Sequence, residues 1–404
     1  MSLAVAVAVP RPAVHPAPSS SASVGRLARL PGIDILRGAV MALMLLDHVR
    51  AYLSSSRFDP TDLARTTAPL FLTRWITHFC APVFILLAGM GAYLAGRRRT
   101  PAQLSRFLLT RGLWLVGLEF TAVSLGWYFN LEFPLGVIAQ VIWAIGVSMV
   151  ALAGLCRLPL PALAVVSLGM IAGHNLLDGI TPESLGVVGP LWTVLHVPGM
   201  LARPAAIVAY PVVPWIGVMG AGYVLAAWLE GRPEARPRRL LALGVGLTLG
   251  FVALRALNGY GDPSPWSVRE GPVPTLLSFL NTTKYPPSLL YLMMTLGPAL
   301  LALRWLEAAP RAGTAWLTIL GRVSLFFYVI HLYAMHAAAV GLGVVQGFPP
   351  TELATLYLLL PPGYGVGLAA VWGVALALLA ALYPLCRWYA GVKRRGRGWW
   401  WSYL

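Results

Sequence analysis

The chain has 404 residues, 58% of them hydrophobic and 11% charged, with fifteen tryptophans and a formal net charge of +16. A mean hydropathy of +0.73, with a charged share far below the roughly 25% of soluble domains, excludes a soluble globular class and points to an integral membrane protein. The basic residues sit in short loops between apolar stretches, where they set orientation, so no nucleic-acid partner is expected.

Residues 1–30 mix Ala, Val, Pro and Ser with Arg11, Arg26 and Arg29. They lack a basic leader followed by a long apolar core, and read as a disordered cytosolic tail. The stretch Ile33 to Arg50 is an apolar helix long enough to enter a bilayer, yet it carries Asp34, Arg37, Asp47, His48 and Arg50. Ionisable groups at membrane depth are costly and mark sites or pathways. Arg37 and His48, eleven residues apart, share nearly one helical face, separated by roughly 16 Å along the axis.

A bilayer core of about 30 Å needs about twenty apolar residues of helix. Runs of that length predict an all-α polytopic protein with about ten spans, near 33–53, 75–95, 107–128, 134–155, 161–178, 206–229, 239–257, 286–305, 316–336 and 364–386. The stretch 337–363, with Pro349-Pro350 and Pro361-Pro362, has room for a short re-entrant or interfacial helix. One transmembrane domain over 31–390 is expected, followed by a basic cytosolic tail, 391–404.

Arg97, Arg98, Arg99, Arg106, Arg157, Arg232, Arg236, Arg238, Arg239, Arg311, Lys393, Arg394, Arg395 and Arg397 all fall on the side of the N-terminus. The positive-inside rule makes that side cytoplasmic, together with both ends. The longer loops 179–205 and 258–285 then face outward, where long loops carry function or cover a site.

Cys80, Cys156 and Cys386 show neither a disulfide framework nor metal spacing, and no metal is expected. There is no P-loop and no inverted repeat of interrupted helices. Small residues on the second span, Ala81, Ala88, Gly89, Ala92 and Gly96, predict close helix approach. Apolar small-residue faces of this kind leave a homodimer possible.

Five motifs combine into a pattern. They are Ile33-Asp34-Ile35-Leu36-Arg37-Gly38 through Asp47-His48, His78-Phe79-Cys80-Ala81-Pro82 through Gly89, Tyr210 to Gly217 with Pro214-Trp215, Thr282-Thr283-Lys284-Tyr285-Pro286-Pro287-Ser288, and Gly321-Arg322 through Tyr328 to His331. As a set they resemble the bacterial branch of the heparan-alpha-glucosaminide N-acetyltransferase catalytic-domain family, over nearly everything after residue 30. The first helix is also similar to that of the wider bacterial membrane O-acyltransferases. The resemblance implies a transmembrane acyltransferase bundle in a bacterial inner membrane, taking acetyl- or another acyl-CoA from the cytosol and modifying a sugar-like acceptor on the other side. It also implies a catalytic histidine on the outer side of the first hairpin, for which both His48 and His78 are candidates.

The residue chemistry is compatible with that implication. A coenzyme A thioester is a polyanion, so its entrance needs cations. Arg37 and Arg322, near the basic ends of spans, are the candidates for the phosphates; snorkelling to headgroups is the alternative for Arg322.

An acceptor hydroxyl or amine must lose a proton as it attacks the thioester, and imidazole, with a reference pKa of about 6.5, suits that task. His48 is the first candidate, as general base or as an acyl carrier; a plain hydrogen bond between helices is the alternative. Asp47 points about 100° away from His48 and pairs naturally with Arg50, so it is a candidate orienter and no close dyad is expected. His78 opens the second span near the end of the first, so the two histidines are expected in one outer vestibule.

Glu119, deep in the third span, is an alternative partner for an imidazole or an arginine on another helix, its burial making it either functional, as a candidate substrate contact, or tightly paired. Ser324, Tyr328 and His331 form a polar stripe on one face of the ninth span, expected to line a cavity, with Tyr328 and His331 as candidate substrate contacts. Lys284, ahead of a rigid Pro-Pro turn, is a candidate acceptor contact, whereas Trp215 stacks on a sugar or simply packs. His174, with Asn175 and Asp178, is assigned a capping or loop-anchoring role, and His15, His196 and His336 carry no assignment. The competing class is a transporter or exporter of a small polar or glycan-related substrate; a silent membrane scaffold is a third, weaker reading.

Overall fold

The computed structural model describes residues 31–202, 205–308 and 312–396. The expected tail 1–30, Arg311 and Arg397 lie outside the described residues. The helices in chain order are α1 (Pro31–Leu53), α2 (Ala68–Thr77), α3 (Cys80–Gly96), α4 (Pro101–Leu118), α5 (Ser124–Tyr128), α6 (Val141–Leu155), α7 (Leu160–Gly173) and α8 (Gly189–Leu195). They continue with α9 (Val213–Glu230), α10 (Arg236–Leu257), α11 (Pro272–Leu280), α12 (Leu289–Ala308), α13 (Ala315–Arg322), α14 (Ser324–Val345), α15 (Pro350–Leu353) and α16 (Leu368–Arg395).

Among the described residues, eight helical stretches are long and apolar enough to cross a bilayer. Two more stand beside them: α1, of 23 residues, which carries the charges of Asp34, Arg37, Asp47 and Arg50, and α6, of 15 residues. The chain is an all-α polytopic membrane protein.

The basic loops meet at one end of the bundle. Arg97 bonds the Glu230 carboxylate, Arg157 Nε donates to Ser105 Oγ at 3.0 Å, and Arg304 Nε donates to the Pro237 carbonyl at 3.2 Å. At the opposite end, Asn281 Nδ2 donates to the Thr61 carbonyl at 3.0 Å and the Leu289 N–H donates to Asn175 Oδ1 at 2.9 Å. Local sequence explains several boundaries. Thr100 and Gln103 form a reciprocal capping box with Pro101 at the first position of α4, and Asn258, in a left-handed conformation at φ 56°, stops α10.

Three expected spans are corrected. The predicted helix 134–155 begins as a strand, β1 (Val137–Ala139), before α6; the predicted helix 206–229 begins as β3 (Ala205–Val208) before α9. With β2 (Gly199–Ala202) these form a three-stranded sheet in the order β1-β3-β2, β1 parallel and β2 antiparallel to β3. A short apolar run has the same hydropathy in either conformation, and here strand pairing satisfies the backbone. The predicted helix 316–336 is broken at Val323, with α13 before it and α14 running on to Val345. Within 337–363, the short α15 and a single turn at Tyr357–Leu359 follow. The expected tail from 391 starts as the last turn of α16.

Glycine fixes the central contacts. A Cβ on Gly89 would stand 1.9 Å from the Met219 carbonyl oxygen, and one on Gly222 2.2 Å from that of Leu86, so α3 and α9 touch backbone to backbone as the small residues predict.

Candidate active site

α1 packs against α3, α12, α13, α14 and α16, which makes its polar residues interior. A Cβ on Gly38 would lie 1.9 Å from the Leu317 carbonyl oxygen and one on Gly321 1.9 Å from that of Asp34. Glycine at both positions therefore lets α1 and α13 cross in contact, and the crossing brings two arginines to one carboxylate. Arg37 Nη1 lies 3.4 Å from Asp34 Oδ1 and Arg322 Nε 3.3 Å from Asp34 Oδ2.

Both arginines line a cavity of about 330 Å³ together with Arg111 and Lys393; Phe84, Ala88, Ile142 and Leu325 supply apolar wall, and Ser324 and Tyr328 complete it. Arg322 is thus part of a cavity wall as well as half exposed. Among the described residues the lining carries four cationic side chains and no carboxylate, with Asp34 bonded to Arg37 and Arg322 beside it, an electropositive balance.

The stripe on α14 continues inward. His48 Nδ1 lies 2.8 Å from His331 Nε2, with the rings stacked at 5.0 Å and 17°. His331 Nδ1 lies 3.0 Å from the Phe327 carbonyl. A carbonyl only accepts, so His331 carries its proton on Nδ1 and presents a lone pair at Nε2; His48 then donates from Nδ1 and keeps the lone pair on its own Nε2. The chain Phe327–His331–His48 therefore fixes one tautomer of the partly exposed His48. The Tyr328 ring, part of the cavity lining, stands edge-on to the His48 ring at 6.4 Å. Trp127 packs on His48 at 4.8 Å.

Beyond His48, Asp47 binds two arginines, Arg50 Nη2 at 3.1 Å and Arg74 Nη1 at 2.5 Å. The expected Asp47–Arg50 pair is present, and the second arginine, from α2, takes the other carboxylate oxygen. Arg74 also lines a pocket at the end opposite the basic loops, with Asp59, His78, Asn281, Lys284 and Tyr285. His78 is buried there, its Nδ1 without a hydrogen-bond partner. His48 takes its imidazole partner from α14, and Arg74 connects its neighbour Asp47 to the pocket of His78. Burial would push the Tyr285 phenol up, but the Lys284 and Arg74 cations outweigh it and hold the phenol below its ordinary value.

Glu119 corrects an expectation. Its partner is neither imidazole nor arginine: Oε2 accepts the Trp143 backbone N–H at 2.6 Å, at the start of the shortened α6, while Oε1 has no hydrogen-bond partner. A carboxylate at a helix N-terminus answers unpaired N–H groups and the helix dipole. Glu119 also opens a π-helical turn, Glu119–Val123, whose displaced carbonyls are taken by Ser124 Oγ at 2.8 Å and Tyr333 Oη at 2.7 Å. Trp215 is fully buried among packed helices.

Three residues escaped the sequence reading. Arg111 lies inside a predicted span, and its charge at that depth was the available signal; Lys393 had read as orientation alone. Arg255, fully buried, donates to the carbonyls of Ser264 at 2.8 Å, Phe279 at 3.0 Å, Ser278 at 3.2 Å and Asn281 at 2.7 Å. Asp262 accepts from the Thr283 N–H at 2.8 Å and Ser288 Oγ at 2.7 Å. Together they shape the segment that carries Lys284.

No curated protein matches the chain. The family model described as heparan-alpha-glucosaminide N-acetyltransferase, catalytic, matches residues 29–253, from α1 through most of α10; Lys284, Arg322, Tyr328 and His331 lie beyond the matched stretch. The match covers more than half of the 404 residues, and the chain belongs to the heparan-alpha-glucosaminide N-acetyltransferase catalytic-domain family.

Proposed function

We propose that this protein is an acyl-CoA-dependent acyltransferase of a bacterial inner membrane, transferring an acetyl or related acyl group to a hydroxyl or amine of a sugar-like acceptor. The basic end faces the cytosol. There the electropositive cavity takes the donor, with Arg37, Arg111, Arg322 and Lys393 near the phosphates and the apolar wall against the pantetheine arm. A volume of about 330 Å³ falls within the usual range of ligand pockets, roughly 300–1,000 Å³. The acceptor approaches from the other face, past Lys284, Arg74 and His78.

His48 is the general base. As the acceptor oxygen or nitrogen attacks the thioester carbonyl, its proton passes to His48 Nε2; the new bond to the acyl carbon forms, the carbon–sulfur bond breaks, and the imidazolium returns the proton to the departing thiolate. The observation that carries this reading is the His48–His331 pair, whose hydrogen bonds leave the Nε2 lone pair of His48, a partly exposed residue, next to the cavity-lining Tyr328.

The test uses purified protein in nanodiscs, acetyl-CoA as donor and glucosamine as acceptor, with release of the CoA thiol as the signal. His48→Ala lowers turnover by about 10²–10⁴-fold while elution and helical content stay normal. Acetyl-CoA raises the Tm of both proteins and a dephosphorylated pantetheine thioester does not. Full turnover in His48→Ala, or glucosamine flux without a CoA requirement, refutes the reading.

A further inference from the structure

We propose that His174, Asp178 and His196 form a divalent metal site of the zinc class at the end of the bundle opposite the basic loops. α7 tightens at its end into a single 3-10 turn, His174–Leu177, and Asp178 follows directly. His196 ends α8, on the far side of the intervening loop. One ligand atom from each of the three residues lies within 4.8 Å of the others. His196 Nε2 and Asp178 Oδ1 are 3.3 Å apart, and the two imidazoles stand edge to face, with ring centroids 5.5 Å apart and planes at 70°.

The unusual feature is what these imidazoles lack. His174 and His196 are 2% and 1% exposed, and among the described residues their ring nitrogens make no well-aligned hydrogen bond; the polar approaches they do make, His196 Nε2 to Asp178 at 3.3 Å and His174 toward the Pro287 backbone, are loose. Buried polar atoms are nearly always paired, and a neutral imidazole always has one N–H to place. A metal ion would answer several of these needs at once, because one ligand atom of each of the three residues lies within 4.8 Å of the others. Zinc ligands at about 2.0–2.2 Å in tetrahedral geometry lie roughly 3.3–3.5 Å from one another, which the His196–Asp178 spacing already matches; with the three ligand atoms within 4.8 Å of one another, His174 closes the set by moving inward.

The carboxylate is held from behind as well. Asn175 Nδ2 donates to Asp178 Oδ2 at 2.8 Å, and Asn175 Oδ1 accepts the Leu289 N–H at 2.9 Å. Metal-binding carboxylates are oriented by such outer partners. Two imidazoles with one carboxylate favour zinc and its neighbours over calcium or magnesium, which require mainly oxygen. The ion fastens α8 and its loop to the ends of α7 and α12, leaving a fourth position for water.

The test is zinc retention by the full-length protein, purified through a tag without histidine, stripped with chelator, incubated with ZnCl₂ and desalted. The expected results are about one zinc per chain, an upward Tm shift with ZnCl₂ that EDTA reverses, and loss of retained zinc in His174→Ala and His196→Ala. Asn175→Ala weakens zinc binding by about 10–100-fold. Should the histidine variants fail to fold, the wild-type measurements decide. No retained zinc and no zinc-dependent Tm shift overturns the proposal, and so does full retention in the folded histidine variants.

Discussion

Replacing His331 by leucine removes the acceptor that holds His48 in one tautomer while keeping the site filled. His331 is fully buried and its Nε2 lies 2.8 Å from His48 Nδ1. Losing a hydrogen bond of this kind, and leaving the His48 N–H unsatisfied, costs about 1–3 kcal/mol. At about 1.36 kcal/mol per factor of ten, turnover falls roughly 5- to 160-fold, a range that reaches only the lower end of the loss on deleting the base itself. His331 forms no part of the cationic cavity lining, so the KM for acetyl-CoA stays unchanged.

His331→Gln, whose side-chain carbonyl can accept from His48, recovers part of the rate. Steady-state thiol release across a donor titration separates kcat from KM. Wild-type kcat in His331→Leu, or a raised donor KM with intact kcat, refutes the tautomer argument.

Three further outcomes are expected. Arg37→Ala, Arg111→Ala and Lys393→Ala each raise the KM for acetyl-CoA with little effect on kcat, by about 13- to 160-fold for the loss of a charge-assisted contact worth about 1.5–3 kcal/mol; donor titration checks this. Gly321→Val drives a side chain into the Asp34 carbonyl and costs about 1–3 kcal/mol or more, read as a lower Tm by fluorescence-detected gel filtration. Asp47→Asn leaves Arg50 and Arg74 facing each other without their shared carboxylate, costing about 3–5 kcal/mol; the same assay measures it, with Arg74→Met in the Asp47→Asn background recovering part of the loss.

Most legible parts of the site share one property: they are periodic along a single helix. The shared face of Ser324, Tyr328 and His331 and the pair Asp47–Arg50 follow from residues three or four apart meeting on one face, although of the three only Ser324 and Tyr328 line the cavity while His331 pairs with His48. Arg37 and Arg322 were legible as candidates from another local property, a cation near the basic end of a span. Glu119 was visible as a costly buried charge, but its partner was not, because that partner is a backbone N–H exposed only when α6 begins late, at Val141.

Sequence by itself determined that this chain crosses a bilayer many times, that its first helix is polar inside, and that glycine and small residues sit where helices approach. Those properties depend on hydrophobicity and on spacing within one segment. Only the tertiary structure decided that His48 pairs with His331 across 283 residues, that Arg74 shares Asp47, that apolar runs 137–139 and 205–208 are strands, and that His174, Asp178 and His196 converge. A contact between segments far apart in the chain depends on which faces pack together, and hydropathy, which scores each residue for lipid against water, does not encode the choice of partner.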